Sequence, residues 1–300
     1  MDWIEKYKVH ELTPIEEHNG ILFKRDDLYM PFDDIPLSGG KVRQAICLIS
    51  NNIDKIRNEY NNHIITSTNI DSPQGLIVTR VAKDYDIKST VFLGGTTLKK
   101  VVVKNIMRNA YNFGAEFEFA KVAYENVILN EIKKKKINGE KFFHIKFGIN
   151  IDEDKESILG ANSYQVQNLP TDLDYLVVPS GSAISFCGIM LGLKKYDINP
   201  KNIVTVQISG KDLFTFVENI LEFEHLPYKM YISKDYPYHK KVSVKITDNF
   251  TLDPIYEAKA YDYMLKYLGD EIKDKKVCFW CVGNTIPVRN NIFQGVREWK

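Results

Sequence analysis

Short apolar runs alternate along the chain with longer segments in which apolar residues recur every three or four positions. The short runs have the pattern of strands and lie at residues 62–68, 88–95, 115–120, 141–148, 174–181, 202–210 and 275–284. The longer segments have the pattern of helices and lie at residues 74–85, 98–114, 124–139, 157–169, 183–196, 211–223 and 253–269. Because strands that alternate with helices are typical of βαβ units, the pattern predicts an α/β fold with a mostly parallel sheet.

The composition is that of an ordinary globular protein, since 44% of the 300 residues are apolar and 26% are charged. The net charge of +1 provides no general attraction to nucleic acid or to an anionic membrane. No apolar run is long enough to span a bilayer, and the first residues are too polar for a signal peptide. We therefore expect a cytoplasmic protein with no membrane partner.

Residues 278–281 (CFWC) have the spacing of a redox motif, which functions at the start of a helix. Here the motif lies in a predicted strand, where residues three positions apart point to opposite faces. A disulfide between Cys278 and Cys281 is therefore disfavoured. We expect both residues to be buried, reduced and structural.

Lys41 stands directly after Gly39 and Gly40, at the start of a segment with a helical pattern. The amino end of a helix carries partial positive charge, which disfavours a cation there. Lys41 is therefore either an ordinary solvated residue or an amine with a chemical role.

Two further turns join a predicted strand to a predicted helix, which is where ligands bind in α/β sheets. Residues 68–75 (TNIDSPQG) form one, and residues 179–185 (PSGSAIS) form the other. The second contains Gly181, Ser182 and Ser185, and backbone N–H groups at such a turn bind phosphate. The turn lacks the spacing of a Walker loop or of a dinucleotide-binding motif, so an ordinary turn is the alternative.

These features together favour pyridoxal 5′-phosphate as the cofactor. The cofactor requires a lysine for its Schiff base and a site for its phosphate group. The six histidines show no spacing for a metal site, so no metal is predicted.

Three segments resemble the fold-type II pyridoxal-phosphate enzymes, in the branch of 1-aminocyclopropane-1-carboxylate deaminase and D-cysteine desulfhydrase. Residues 24–44 (KRDDLYMPFDDIPLSGGKVRQ) are similar to the K-R-E-D-L and G-G-N-K-x-R motifs of that branch. Residues 252–260 (LDPIYEAKA) are similar to its D-P-V-Y-E/T-G-K motif, and residues 178–188 (VPSGSAISFCG) are similar to its phosphate loop, T-G-S-x-x-T-x-A-G. The matched positions in the first segment are Lys24, Arg25, Asp27, Leu28, Gly39, Lys41 and Arg43.

The resemblance implies two domains, each an open, mostly parallel twisted sheet with helices on both faces. Residues 1–44 and 151–300 would form a large cofactor-binding domain, and residues 45–150 would form a small inserted α/β domain. The cofactor would be held by Lys41 through its Schiff base. Its phosphate would be bound by Gly181, Ser182 and Ser185, and its pyridine nitrogen would face Glu257.

The resemblance also implies residues that contact the substrate. Tyr256 would lie near the substrate, and Ser72 would bind its carboxylate. A second tyrosine of the deaminase has no secure counterpart, and Tyr236 and Tyr238 are both candidates. Packing alone also explains Tyr256, and a role in a turn also explains Ser72. Glu257 is likewise explained by the preference for acidic residues in the first turn of a helix.

The chain departs from the family at several positions. Pro73 stands where the family has the asparagine beside the ring hydroxyl of the cofactor, and proline offers no backbone donor. Ala183 and Ile184 replace glycines of the phosphate loop. Residues 281–284 (CVGN) replace an H-T-G-G turn, and the chain before residue 252 is too short for a helix that the family has there.

The implied function is that of a lyase or deaminase-like enzyme, which forms an external aldimine with an amino-acid-like substrate and breaks a bond at or near Cα. Elimination with deamination is the family default, and decarboxylation or racemisation uses the same chemistry. One alternative is an enzyme of the phage type, which processes an amino-acid group attached to a nucleotide or DNA base. Another is a binding protein that kept the fold and lost catalysis. A homodimer is expected, as is common in the family.

Overall fold

The structure, a computed structural model, describes residues 2–208, 210, 212–222, 225–295 and 297. The chain divides into two compact units. Unit 1 comprises Met1–Pro31, Ser38–Arg43 and Ile158–Ile286, and unit 2 comprises Phe32–Leu37, Gln44–Ser157 and Pro287–Lys300. The expected domains are residues 1–44 together with 151–300, and residues 45–150. That these ranges fold as separate domains stays a prediction.

Strands and helices alternate through most of the chain. The strands are β1 (Ile15–His18), β2 (Ile21–Arg25), β3 (His63–Ser67), β4 (Lys88–Gly94), β5 (Glu116–Ala120), β6 (Phe143–Ile145), β7 (Tyr175–Ser180), β8 (Asn202–Gln207), β9 (Lys229–Ile232), β10 (Lys245–Thr247), β11 (Phe250–Thr251) and β12 (Val277–Cys281). The helices are α1 (Trp3–Tyr7), α2 (Gly40–Asn51), α3 (Ile53–Glu59), α4 (Gln74–Asp84), α5 (Leu98–Val101), α6 (Asn105–Asn112), α7 (Glu125–Ile137), α8 (Lys155–Ser163), α9 (Ile184–Lys195), α10 (Phe214–Leu221), α11 (Glu257–Ile272) and α12 (Ile286–Asn290). Short 3-10 turns follow β2 and α8, at Asp26–Leu28 and Tyr164–Asn168.

Unit 1 is built on a six-stranded sheet with the order β1-β2-β12-β7-β8-β9. All neighbouring strands are parallel except β1 and β2, which form an antiparallel hairpin. Asn19 and Gly20 form its two-residue turn with φ values of 54° and 76°, as a type I′ turn requires. The predicted α/β fold with mostly parallel sheets is confirmed.

The core of unit 1 is an aromatic cluster between the sheet and α11. Phe23 of β2 lies beside Phe279 of β12, with ring centroids 6.0 Å apart. Tyr261 of α11 packs on Phe279 at 5.4 Å, and Phe250 of β11 packs edge-on against Phe23 at 5.3 Å. The cluster fixes α11 against the strands whose carboxyl ends carry the candidate site.

Unit 2 contains a four-stranded, fully parallel sheet with the order β5-β4-β3-β6. Its core includes Ile65 of β3, Phe92 of β4 and Ile128 of α7, all buried. One predicted helix is wrong: residues 98–114 form two helices, α5 and α6. The β-branched run 101–103 (VVV) lies at the break, and such residues lose side-chain freedom in a helix.

Cys278 and Cys281 are buried in β12 and form no disulfide, as the strand pattern predicts. Burial raises the pKa of the Cys278 thiol to about 12, so this thiol is poorly reactive at neutral pH. In the part of the chain that the structure describes, no helix combines the length and apolar character needed to cross a membrane.

Candidate active site

The helix that carries Lys41 begins on a turn at the end of β12. The Gly40 N–H donates to Val282 O at 3.0 Å. A Cβ at Gly39 would lie 2.2 Å from Val282 O and 2.5 Å from Gly283 Cα, and Gly39 has a φ of 90°. Only glycine fits at residue 39, because a side chain there would overlap the backbone of Val282 and Gly283. The Gly-Gly pair therefore places Lys41 next to the turn that follows β12.

The amine of Lys41 has no hydrogen-bond or ion-pair partner among the described residues. The residue is partly exposed, and desolvation lowers the pKa of Lys41 to about 8. A substantial fraction of the amine is therefore neutral, and so nucleophilic, near neutral pH.

Glu257, the first residue of α11, is tied to the same turn. Its buried carboxyl group accepts the N–H of Asp253 at 2.8 Å and the N–H of Gly283 at 3.0 Å. Burial, together with nearby carboxylates, raises the pKa of Glu257 well above its usual range. Gly283 directly follows Val282, whose carbonyl oxygen accepts the Gly40 N–H. The helix that carries Lys41 and the carboxyl group of Glu257 are therefore both hydrogen-bonded to the same turn.

Tyr256 packs on the turn that follows β7. A Cβ at Gly181 would lie 2.5 Å from Tyr256 Cε1, so a larger residue does not fit there. The hydroxyl oxygens of Tyr256 and Tyr238 lie 2.5 Å apart. Buried Lys259 donates to Pro237 O at 3.0 Å and to Tyr238 O at 2.8 Å, which holds Tyr238 in this position.

The structure distinguishes the two candidates for the second tyrosine. Tyr236 donates its hydroxyl to Asp262 Oδ2 at 3.1 Å, whereas Tyr238 contacts Tyr256. Between β9 and β10 the described residues contain no helix, in agreement with the shortened segment expected there.

The turn after β7 is anchored from β8. Gln207 Nε2 donates to Gly181 O at 2.5 Å, and Ser180 Oγ lies 2.6 Å from Thr205 Oγ1. Ala183 has φ 61° and ψ 0°, the left-handed conformation that favours glycine, and α9 begins at the next residue. The turn therefore has a backbone shape typical of glycine, although Ala183 stands where the family has glycine.

Ser182 lies in this turn, and Ser185 lies in the first turn of α9, a helix of 12 residues. Both residues are partly exposed. The amino end of such a helix presents N–H groups and a positive dipole end to an anion. An arrangement suited to an anion thus lies in the same unit as Lys41, Glu257 and Tyr256.

Comparison with known proteins begins with sequence. No family model matches the chain. An O-seryl-dTMP PLP-dependent decarboxylase of Salmonella phage ViI is 28% identical over 234 residues, which are 73% of this chain and 54% of the phage protein. The chain therefore spans about half the length of that relative.

Solved structures share the architecture. An ACC deaminase homologue superimposes with a TM-score of 0.73 at 20% identity, covering 92% of this chain and 90% of the homologue. Threonine deaminase isoform 2 from Solanum lycopersicum gives a TM-score of 0.63 at 14% identity, covering 94% and 88%. The chain has the fold of the fold-type II pyridoxal-phosphate enzymes.

Four matched residues of the first motif, Lys24, Arg25, Asp27 and Arg43, are buried and form ion pairs or hydrogen bonds. Arg25 donates to both carboxylate oxygens of Asp27 at 2.9 Å, and Arg43 donates to Asp26 Oδ1 at 2.7 Å. Lys24 donates to a backbone carbonyl oxygen at 2.7 Å. Since Arg43 lies in the first turn of α2, its pairing fixes the turn that carries the candidate Schiff-base lysine.

Asn162 of α8 lies beside the turn that carries Lys41, and the sequence analysis did not single it out. Its side chain is buried, and neither amide atom has a hydrogen-bond partner among the described residues. A Cβ at Gly40 would lie 2.6 Å from Asn162 Oδ1, and a Cβ at Gly188 of α9 would lie 3.2 Å from Asn162 Cβ. The carboxamide therefore adjoins the start of α2, where the G-G-N-K motif of the fold-type II branch has its own asparagine. Asn162 itself lies outside the three segments that resemble the family motifs.

Ser72 belongs to unit 2. Its hydroxyl accepts the N–H of Gln74 at 3.3 Å, and its own N–H donates to Asn69 O at 3.1 Å. Pro73 lies directly before α4. These are the contacts of a residue at a helix start, and binding of a substrate carboxylate by Ser72 stays a prediction.

Proposed function

We propose that the chain is a pyridoxal-phosphate-dependent enzyme of the lyase class that acts at the α-carbon of an amino-acid group. The observation that carries this proposal is the unpartnered amine of Lys41, whose pKa is lowered to about 8. The same turn of the chain holds the buried carboxyl group of Glu257. A solvated surface lysine would keep its ordinary pKa, because water would solvate its ammonium group.

The residues of unit 1 fit the cofactor. Lys41 offers the amine, the amino end of α9 with Gly181, Ser182 and Ser185 offers an anion site, and Glu257 offers a buried carboxyl group for the pyridine nitrogen. Each Glu257 oxygen that accepts a backbone N–H retains a second lone pair. When bound, the cofactor supplies an aldehyde that condenses with amines and a ring that accepts electrons from the substrate α-carbon.

We assign decarboxylation to this site because the phage relative is named for decarboxylation of O-seryl-dTMP. The bond between the α-carbon and the carboxylate breaks, carbon dioxide leaves, and the α-carbon takes a proton from Lys41 Nζ. A lysine with a pKa near 8 both holds and releases a proton near neutral pH. Tyr256, paired with Tyr238, would orient the substrate beside this amine.

The substrate under this proposal is an amino-acid group carried on a nucleotide, as in the name of the phage relative. Deamination of a free amino acid, the family default, is the competing reaction. The two differ in product, because decarboxylation releases carbon dioxide and keeps the amine, whereas deamination releases ammonia.

Two measurements test the proposal. Borohydride treatment of the protein with pyridoxal phosphate should attach the cofactor irreversibly to Lys41, as mass spectrometry of the peptides would show. Lys41→Ala should remove this attachment, whereas Lys195→Ala, in the last turn of α9, should leave it unchanged. The protein should then release carbon dioxide from O-seryl-dTMP and not from free L-serine. A protein that takes up no cofactor would instead support a non-catalytic binding role.

We further propose a cytoplasmic location, which suits the reduced, buried cysteines. The homodimer is a prediction that light scattering of the purified protein would check.

A further inference from the structure

A cavity of about 310 Å³ opens at the carboxyl ends of β8 and β9. Its lining includes Ile208, Ser233, Lys234, Tyr236 and Tyr238. Small-molecule sites in proteins have volumes of about 300–1,000 Å³, so this cavity is large enough for a ligand of modest size. None of the roles assigned above uses it.

The cavity adjoins the candidate active site. Ile208 donates its N–H to Ser180 O at 2.9 Å, and Ser180 is the residue before the turn at Gly181. Because β7 and β8 are neighbours, the cavity opens at the strand next to the one that carries this turn. Tyr238 lines the cavity and also contacts Tyr256. Tyr238 therefore belongs both to the wall of the cavity and to the surroundings of Tyr256.

The lining combines aromatic rings with a cation. Tyr236 and Tyr238 supply flat apolar surfaces on which a nucleobase stacks. Lys234 is exposed and has no ion-pair partner among the described residues, so its ammonium group is available to an anion. The neighbouring carboxylates are already engaged: Asp235 pairs with Lys266 at 3.0 Å, and Asp262 accepts the hydroxyl of Tyr236.

We propose that this cavity binds the nucleoside monophosphate half of the substrate, with the base against Tyr236 and Tyr238 and the phosphate at Lys234. The inference rests on the proposed function, since only a nucleotide-linked substrate would need such a site. Lys259 makes the wall rigid by holding the carbonyl groups of Pro237 and Tyr238. A preformed wall lowers the ordering cost of binding.

Calorimetric titration of the full, cofactor-loaded chain with dTMP tests the proposal without any catalysis. Lys234→Glu should raise the Kd for dTMP at least about tenfold, because it removes a charge-assisted contact and adds repulsion. Tyr236→Ala should raise it about tenfold through lost stacking. The matched control is Lys229→Glu at the amino end of β9, which should leave the Kd within about twofold.

The arms of the titration separate the possible ligands. Tighter binding of dTMP than of inorganic phosphate supports a nucleotide site, and a short oligothymidylate tells whether the nucleotide is free or part of a strand. Lys41→Ala should still bind dTMP. If the protein binds dTMP but decarboxylates no substrate, the proposed reaction is wrong and the assignment of the cavity stands. Absence of dTMP binding, or an unchanged Kd in Lys234→Glu, would overturn the assignment.

Discussion

The hydroxyl oxygens of Tyr238 and Tyr256 lie 2.5 Å apart, which couples the segment after β9 to the start of α11. Tyr238→Phe removes the hydroxyl group that lies beside the Tyr256 hydroxyl. We expect turnover on the nucleotide-linked substrate to fall about tenfold with little change in cofactor attachment. The control is Tyr236→Phe, which loses only its hydrogen bond to Asp262 and should keep near-normal turnover. Equal loss in both variants would contradict a specific role for the Tyr238–Tyr256 pair.

Gly40 and Asn162 are expected to be energetically coupled. Gly40→Asn restores the asparagine of the family motif but places a side chain against Asn162 Oδ1. This variant alone should lose cofactor affinity and stability, and Asn162→Ala alone should leave a cavity. The double variant should recover part of the loss, with a coupling energy of about 1–3 kcal/mol. Thermal unfolding and cofactor titration of all four proteins measure it, and strictly additive effects would contradict the coupling.

Glu257→Gln should destabilise the protein although it keeps the size of the side chain. Both oxygens of Glu257 accept backbone N–H groups, from Asp253 and Gly283, so the amide nitrogen of glutamine would face a donor. We expect the free energy of unfolding to fall by about 1–3 kcal/mol in denaturant titrations. Glu271→Gln, at an exposed position of the same helix, should change it by less than about 0.5 kcal/mol.

Lys41 should make the cofactor-free protein less stable at neutral pH than at higher pH. Its pKa falls from the ordinary value of 10.5 to about 8 on folding, so between these values the unfolded chain binds more protons. Stability therefore rises with pH across this window, and the penalty is fully present below pH 8. Lys41→Met should be more stable by about 1–3 kcal/mol at pH 7, and the difference should shrink by pH 10. A pH-independent difference in thermal unfolding would argue against a desolvated amine.

Ala183→Gly should stabilise the turn after β7. Ala183 has a φ of 61°, which costs an alanine more than a glycine. The variant should gain about 0.5–1 kcal/mol in free energy of unfolding. Ala161→Gly within α8 is the comparison and should lose about 1 kcal/mol, because glycine is unfavourable inside a helix. Losses of the same size at both positions would show that the backbone strain is absent.

The spacing of apolar residues predicted the repeated strands and helices, because that spacing is visible within a short stretch of sequence. The β1–β2 hairpin was missed although Asn19 and Gly20 are a strong turn signal. Motif similarity pointed to Lys41, Gly181, Tyr256 and Glu257, which all lie in unit 1. Lys24, Arg25 and Arg43 also matched a motif, but whether such residues form ion pairs depends on contacts that only the folded chain shows.

The sequence did not indicate Asn162, and it named Tyr238 only as one of two candidates, for a different reason. Their importance arises from partners far away in the chain, at Gly40 and Tyr256, and neither stands in a recognisable motif. The choice between Tyr236 and Tyr238 likewise depended on the partners of their hydroxyl groups, which only the folded chain shows.

The place of β12 in the sheet has a consequence for biosynthesis. This strand lies between β2 and β7, yet the ribosome makes it after every other strand. The sheet thus lacks its strand between β2 and β7 until Cys281 has left the exit tunnel. Until then, β2 and β7 each have one unpaired edge. The four strands of unit 2 are complete by Ile145 and are free to pair earlier. The hydrogen bond from the Gly40 N–H to Val282 O consequently forms only after Val282 has been made, so the turn that carries Lys41 is completed late relative to the rest of unit 1.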